Sequence, residues 1–244
     1  PKELLEQDCV ISLSKMKTHA LERITGAVKN SYGFIYGFHK AKGHTQYPSA
    51  DSFARMLIDL NKCVAPKLYV MDGIVAMEGN GPGSGDPVPM NVLLMSTDPV
   101  ALDSVFSRLV YLKPEMVPTN YHGEKMGLGT WKEEEITLLT PDGEISMAEA
   151  VKKYGNPAFN VDRTEVRKNI WTRMAGALNI FQKKPYIEAD KCVRCGICVQ
   201  SCPVPGKAVD FRKGKGKPPV YDYRKCIRCF CCQEMCPKKA IKVK

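Results

Sequence analysis

The sequence of 244 residues has no apolar run approaching the length of a membrane span, so it offers no candidate for a spanning helix. No secretory signal is in view, which argues against reading its thiols as a disulfide framework. Histidine is scarce: there are four, and His39, His44 and His122 stand in polar stretches without a partner at metal-ligand spacing, which reads as surface placement. The glycines at Gly79, Gly81, Gly83 and Gly85 fit neither the Walker nor the dinucleotide fingerprint, so the default is a connection and the sharper option a loop closing over a ligand. The net charge of +10 comes without a recognisable nucleic-acid recognition fold, and no nucleic-acid partner is expected.

What is abundant is cysteine, and it is confined to one end. Nine of eleven cysteines lie between Cys192 and Cys236. Cys192, Cys195, Cys198 and Cys202 followed by Pro203 read C-x-x-C-x-x-C-x-x-x-C-P, and Cys226, Cys229, Cys232, Cys236 and Pro237 read the same. This is the spacing of two 4Fe-4S clusters of the bacterial ferredoxin type. Three thiolates in a tight loop cap three iron corners of one cubane, and the fourth, set off by the proline, points to the other. The ligands should cross over: Cys192, Cys195, Cys198 and Cys236 on one cluster, Cys226, Cys229, Cys232 and Cys202 on the other. Zinc sites usually pair two C-x-x-C hooks across a longer loop. Cys231 takes the slot of Ile197 in the first copy and reads as a buried apolar thiol rather than a ninth ligand.

Ile187 to Cys202 aligns without a gap on Tyr221 to Cys236, a repeat of 34 residues. After each proline the sequence suggests a helical turn and then an apolar strand, at 208–211 and 240–243. Arg212 to Pro219 between the copies reads as an exposed turn. From Lys183 onward there are 16 lysines and arginines against 5 carboxylates, whereas residues 1–182 carry 20 against 21. All the excess charge is therefore on the cysteine-rich tail, where it offsets the negative charge of thiolate-held clusters. The remainder, notably Lys213, Lys215, Lys217, Lys238 and Lys239, would steer an acidic redox partner such as a ferredoxin or flavoprotein. Oxygen-sensitive clusters argue for a cytoplasmic setting.

The rest of the chain alternates strand-like and helix-like stretches, which predicts an α/β domain with a mostly parallel sheet, ahead of a small α+β ferredoxin-like domain. The expected boundaries are 1–169 for the α/β domain, 170–184 for an apolar connecting helix and 185–244 for the two-cluster domain. The chain opens at Pro1 with helix-like sequence already under way, which reads as an α/β domain incomplete at its start. Cys9 to Leu13 is a short β-branched run that delivers Lys15, Lys17 and His19 at its end; residues 20–32, 52–64, 99–110 and 146–154 have helical spacing. Strands are expected at Leu68–Met71, turning at Asp72-Gly73, at Met90–Met95, and at Glu135–Leu139. Asp98-Pro99 reads as a helix cap and Asp103 as helix-start charge.

Lys15-x-Lys17-x-His19, Thr25-Gly26-Ala27-x-Lys29-Asn30, Met71-Asp72-Gly73-Ile74-x-x-Met77-Glu78-Gly79-Asn80-Gly81-Pro82 and Thr97-Asp98-Pro99-x-Ala101-x-Asp103 follow one another in that order. With the tail, this combination resembles the domain-of-unknown-function family 362, whose members often carry a ferredoxin tail and usually begin with a further α/β segment. The resemblance implies no established reaction. It does shift the reading of the basic strand end. Two lysines and a histidine at alternate positions are costly side by side unless an anion or carboxylate meets them. Lys15, Lys17, His19, Lys29 and Asn30 are candidates for an anion site with His19 as proton donor, and Asp72 and Glu78 for holding a cation or placing a substrate. Three functions follow: a redox enzyme or enzyme subunit passing electrons between two 4Fe-4S clusters and a site in the α/β domain; an electron carrier with a docking domain; or an anion-binding protein with structural or redox-sensing clusters.

Overall fold

The computed structural model describes residues 2–35, 38–165 and 183–243, and the chain divides into two compact units, Pro1–Asp162 and Arg163–Lys244. The apolar segment Ile170 to Phe181, expected to form a connecting helix, lies outside the described residues.

In the first unit a short helix α1 (Lys2–Leu5) leads to β1 (Ile11–His19), which turns into β2 (Arg23–Thr25). Three helices follow, α2 (Ala27–Asn30), α3 (Phe38–Gln46) and α4 (Ala50–Val64), then the long pair β3 (Leu68–Glu78) and β4 (Asp86–Ser96). After these come α5 (Pro99–Leu109), α6 (Pro118–Lys125), the hairpin β5 (Leu138–Thr140) and β6 (Gly143–Ile145), and α7 (Met147–Tyr154). The main sheet has the order β2-β1-β3-β4. Only β1 and β3 run parallel; β1–β2 and β3–β4 are antiparallel, so the sheet is mixed rather than mostly parallel. The reason is the connections. A parallel pair needs a crossover, and α2 to α4 supply one between β1 and β3. The links from β1 to β2 and from β3 to β4 hold no helix and can only form hairpins. The strand at 68 also runs on through Asp72-Gly73, bending at a bulge between Gly73 and Val75.

Side-chain alternation decides which face the helices cover. Ser12, Ser14, Met16 and Thr18 of β1 point inward, while Ile11 and Leu13 are 55% and 72% exposed. The inner face joins Met16, Tyr69, Met71, Met90 and Val92 to Leu102, Val105, Phe106 and Leu109 of α5. A second cluster packs Val28 and Tyr32 on Phe53, Leu57 and Ile58 of α4. The helix starts obey local rules: Ser49 and Ser52 form a capping box on α4, Asp98 accepts from the N–H groups of Val100 and Ala101 ahead of α5, and Ser146 with Glu149 boxes α7. The helix expected over 20–32 shrinks to α2 and a 3-10 turn, because Arg23 at φ 65° and the β1–β2 hairpin occupy its first half. The strand expected at 135–139 starts only at Leu138 and belongs to a hairpin.

The second unit contains β7 (Pro185–Ile187), α8 (Ile197–Gln200), β8 (Val209–Asp210), β9 (Val220–Tyr221), α9 (Cys231–Glu234) and β10 (Ile241–Val243). Its strands pair across the repeat: β7 with β10 and β8 with β9, both antiparallel. The repeat is visible in the backbone too. Arg194 and Arg228, 34 residues apart, have φ of 59° and 58°, and Gly196 and Phe230, again 34 apart, stand left-handed at the starts of α8 and α9. The short helices carry the third cysteine of each motif rather than following the proline, as the sequence suggested. Cys198, Cys202, Ala208, Val209, Cys232 and Ile241 make the small core; of the turn expected over 212–219, residues 212–217 are exposed, but Pro218 is half-buried and Pro219 is buried, lining one of the clefts described below.

Candidate cluster sites and the basic strand

Two clefts open in the second unit. The first, of about 360 Å³, is lined by Cys192, Cys195, Cys198 and Cys236. The second, of about 290 Å³, is lined by Cys202, Cys226, Cys229 and Cys232. Each cleft thus takes three thiols from one motif and the fourth from the other. The left-handed residues let the loop curl so that three thiols face one way. The antiparallel pairing of first-copy with second-copy strands carries the fourth across. Among the described residues no three His, Cys, Asp or Glu side chains are gathered closely enough to hold a single metal ion. Each quartet has the three-plus-one cysteine set that a 4Fe-4S cluster of the ferredoxin type takes as ligands.

The polar surroundings of the sulfurs are specific. The N–H of Ala208 donates to Cys202 Sγ and that of Ala240 to Cys236 Sγ, each at 3.3 Å. The Tyr221 hydroxyl donates to Cys232 Sγ at 3.1 Å. Burial pushes the Cys198 thiol up to about 11, with Cys192, Cys195 and Cys236 adding to the effect. Burial likewise raises Cys232 and Cys226. Paired thiolates in so dry a place need cationic charge between them. Cys231 is buried, hydrogen-bonded to the Cys229 side chain, and lines neither cleft.

The candidate residues of the first unit lie on three elements: Lys15, Lys17 and His19 on β1, Lys29 and Asn30 on α2, and Asp72 and Glu78 on β3. Lys15 makes an ion pair with Asp72 across the parallel pair β1–β3, and this contact, followed by the N–H of Ile74, holds the Asp72 carboxyl below the usual range. Lys17 lies further along β1, half-buried, opposite Met77. His19 is buried at the strand end, where its Nδ1 accepts the backbone N–H groups of Leu21 and Glu22 at 3.2 and 3.1 Å. That fixes the tautomer: the ring of a neutral His19 carries its proton on Nε2. Lys29 is buried on α2, and the Asn30 amide donates to the Leu13 carbonyl, tying α2 to β1. Glu78 accepts the backbone N–H of Asn160 at 2.8 Å while Gly79 N–H donates to the Asn160 carbonyl at 2.8 Å. The glycine-rich loop lies on the end of β1, with Thr18 Oγ1 donating to the Gly79 carbonyl and accepting from Gly81 N–H.

Three buried groups escaped the sequence reading. Glu22, in the β1–β2 turn, is fully buried, its two oxygens have no hydrogen-bond partner among the described residues, and burial raises its carboxyl well above the usual range, offset in part by Lys29. His44 and His122, expected at the surface, are 4% and 9% exposed. His44 stacks on Phe53 at 4.6 Å, and His122 Nε2 lies 2.9 Å from Asp51. Their polar sequence neighbours hide this. His39 falls in α3.

Residues 1–108 match the family described as "Domain of unknown function (DUF362)", and residues 184–237 match the "4Fe-4S dicluster domain". The Thylakoid-associated protein sll1697 of Synechocystis sp. is 41% identical over 128 residues, which cover 52% of this chain and 40% of that protein. The chain therefore spans well under half the length of this curated relative. No solved structure matches.

Proposed function

We propose that this chain, a DUF362 region followed by a 4Fe-4S dicluster region, is an iron-sulfur electron-transfer protein holding two 4Fe-4S clusters. The observation that carries the reading is the crossed division of eight thiols between two clefts. When bound, each cluster supplies reversible one-electron chemistry. The chain's residues do the rest. Eight thiolates hold the clusters, the N–H groups of Ala208 and Ala240 stabilise charge on the fourth ligands, and the exposed lysines at 213, 215, 217, 238 and 239 draw in an acidic donor such as a ferredoxin or flavoprotein.

The finer reading is that electrons pass between these clusters and a site in the first unit, with Lys15, Lys17, His19, Lys29 and Asn30 as the candidates to meet an anionic small molecule and Asp72 and Glu78 to hold a cation or place a substrate. The glycine-rich loop beside β1 suits closure over such a ligand. The engagement of Lys15 with Asp72, of Asn30 with Leu13 and of Glu78 with Asn160 favours a second reading, in which the first unit docks a partner and the protein is a carrier. A cytoplasmic setting suits thiolate-held clusters; among the described residues no helix is long and apolar enough to cross a membrane.

A reductive titration of the anaerobically reconstituted protein tests the electron-transfer reading. It should take up about two electrons per chain, one per cluster, and return them to an added one-electron acceptor. Clusters that resist a strong low-potential reductant would instead be structural staples.

A further inference from the structure

The two clefts come from copies of one repeat, so within 187–202 and 221–236 residues 34 apart occupy corresponding places about their quartets. Some such pairs are alike, as Val193 matches Ile227 and Arg194 matches Arg228, and some differ, as Gly196 and Phe230 do. The pair Ile187 and Tyr221 differs too. Ile187, at the end of β7, lines the first cleft and offers its sulfurs only hydrocarbon. Tyr221, at the end of β9, lines the second and donates its hydroxyl to Cys232 Sγ at 3.1 Å.

The second quartet is also the drier. Cys202, Cys229 and Cys232 are all buried and Cys226 half-buried, whereas in the first quartet Cys195 is exposed and only Cys198 is buried. An added electron increases negative charge on the cluster and its sulfurs. Poor solvation disfavours that charge, so burial alone would leave the second cluster harder to reduce than the first. A hydroxyl donating to a ligand sulfur acts in the opposite sense, and more strongly where water is excluded.

Resting on the electron-transfer reading above, we propose that Tyr221 is a redox-tuning residue. Its O–H holds up the reduction potential of the cluster bound by Cys202, Cys226, Cys229 and Cys232, so that the buried cluster stays within reach of the more exposed one. Each reduction step adds one electron from a low-potential donor, with no bond made or broken and no proton required. The effect belongs to one cluster, since Ile187 gives the other no such donor.

The test is a potentiometric titration of the reconstituted full chain followed by electron paramagnetic resonance, with Cys202→Ser and Cys236→Ser assigning the two signals. Tyr221→Phe, which removes only the hydroxyl, should lower the potential of the second cluster, leave the first in place and widen the separation. Ile187→Tyr should raise the potential of the first cluster alone. Iron and sulfide content checks that each variant is loaded, and if Tyr221→Phe fails to load, Ile187→Tyr decides. A Tyr221→Phe protein with unchanged potentials, or with both shifted equally, overturns the inference. If the wild-type clusters cannot be reduced at all, the electron-transfer reading falls instead.

Discussion

Asp103 has no exposed surface and accepts the backbone N–H groups of Ala27 and Val28 at the start of α2. Burial pushes its carboxyl up to about 7 against the pull of those two bonds. Because the folded pKa lies above the ordinary value of 3.8, the folded state holds the proton longer. This contribution to stability is full below the ordinary value and is lost as pH rises through about 7. Glu22, raised by burial as well, adds a slope of the same sign. Asp103→Asn keeps one acceptor but turns an NH2 group toward the second N–H. It should cost about 1–3 kcal/mol at pH 6 and flatten the fall in stability between acid and neutral pH. Denaturant melts across that range check it; an unchanged slope would show that Asp103 is not the titrating group. The cap role of Asp98 was legible from Asp-Pro alone, because a cap is a local matter. The roles of Asp103 and Glu22 were not, since the helix N-terminus that Asp103 meets and the packing that dries Glu22 are set by tertiary structure.

The element on which the sheet reading turned is the segment between β3 and β4. Its glycines were legible as a loop, but its hairpin character was not. The strand expected from Met90 begins at Asp86: β4 is an edge strand of the sheet among the described residues, where the missing N–H of Pro87 or Pro89 on the outer side costs nothing. Close approach explains part of the glycine content. A Cβ at Gly81 would stand 2.2 Å from the Thr18 carbonyl oxygen, and at Gly85 2.1 Å from the Glu78 carbonyl oxygen. Gly81→Ala should therefore lift the loop off β1 and cost about 1–3 kcal/mol, read as a lower unfolding midpoint and faster amide exchange at Gly79 and Gly81. Wild-type exchange rates in the variant would mean that the loop does not rest on the strand. In the second unit the elements were easier to read, because the cysteine spacing fixes both loops and the 34-residue repeat fixes which strands correspond.

At the scale of the molecule, the charge imbalance belongs to the cysteine-rich tail from Lys183 onward: the lysines at 213, 215, 217, 238 and 239 are exposed, while residues 1–182 are nearly neutral. Exposed charges act over about 8 Å at physiological salt and about 30 Å at 0.01 M. Reduction by an acidic donor protein should slow as ionic strength rises, and replacing Lys213, Lys215 and Lys217 by alanine should weaken that dependence, as stopped-flow rates would show. Salt-independent rates would remove electrostatic steering from the account. The crossed quartets make a further claim on the whole tail: Cys202→Ala should damage the cluster of the second motif, and Cys236→Ala that of the first. Damage confined in each case to the substituted motif's own cluster would contradict the crossing seen in the two clefts. Beneath all of this lies cluster binding itself, and chemical analysis of the anaerobically reconstituted chain tests it most directly. The account predicts about eight iron and eight acid-labile sulfide per chain; bound zinc with no sulfide would contradict it.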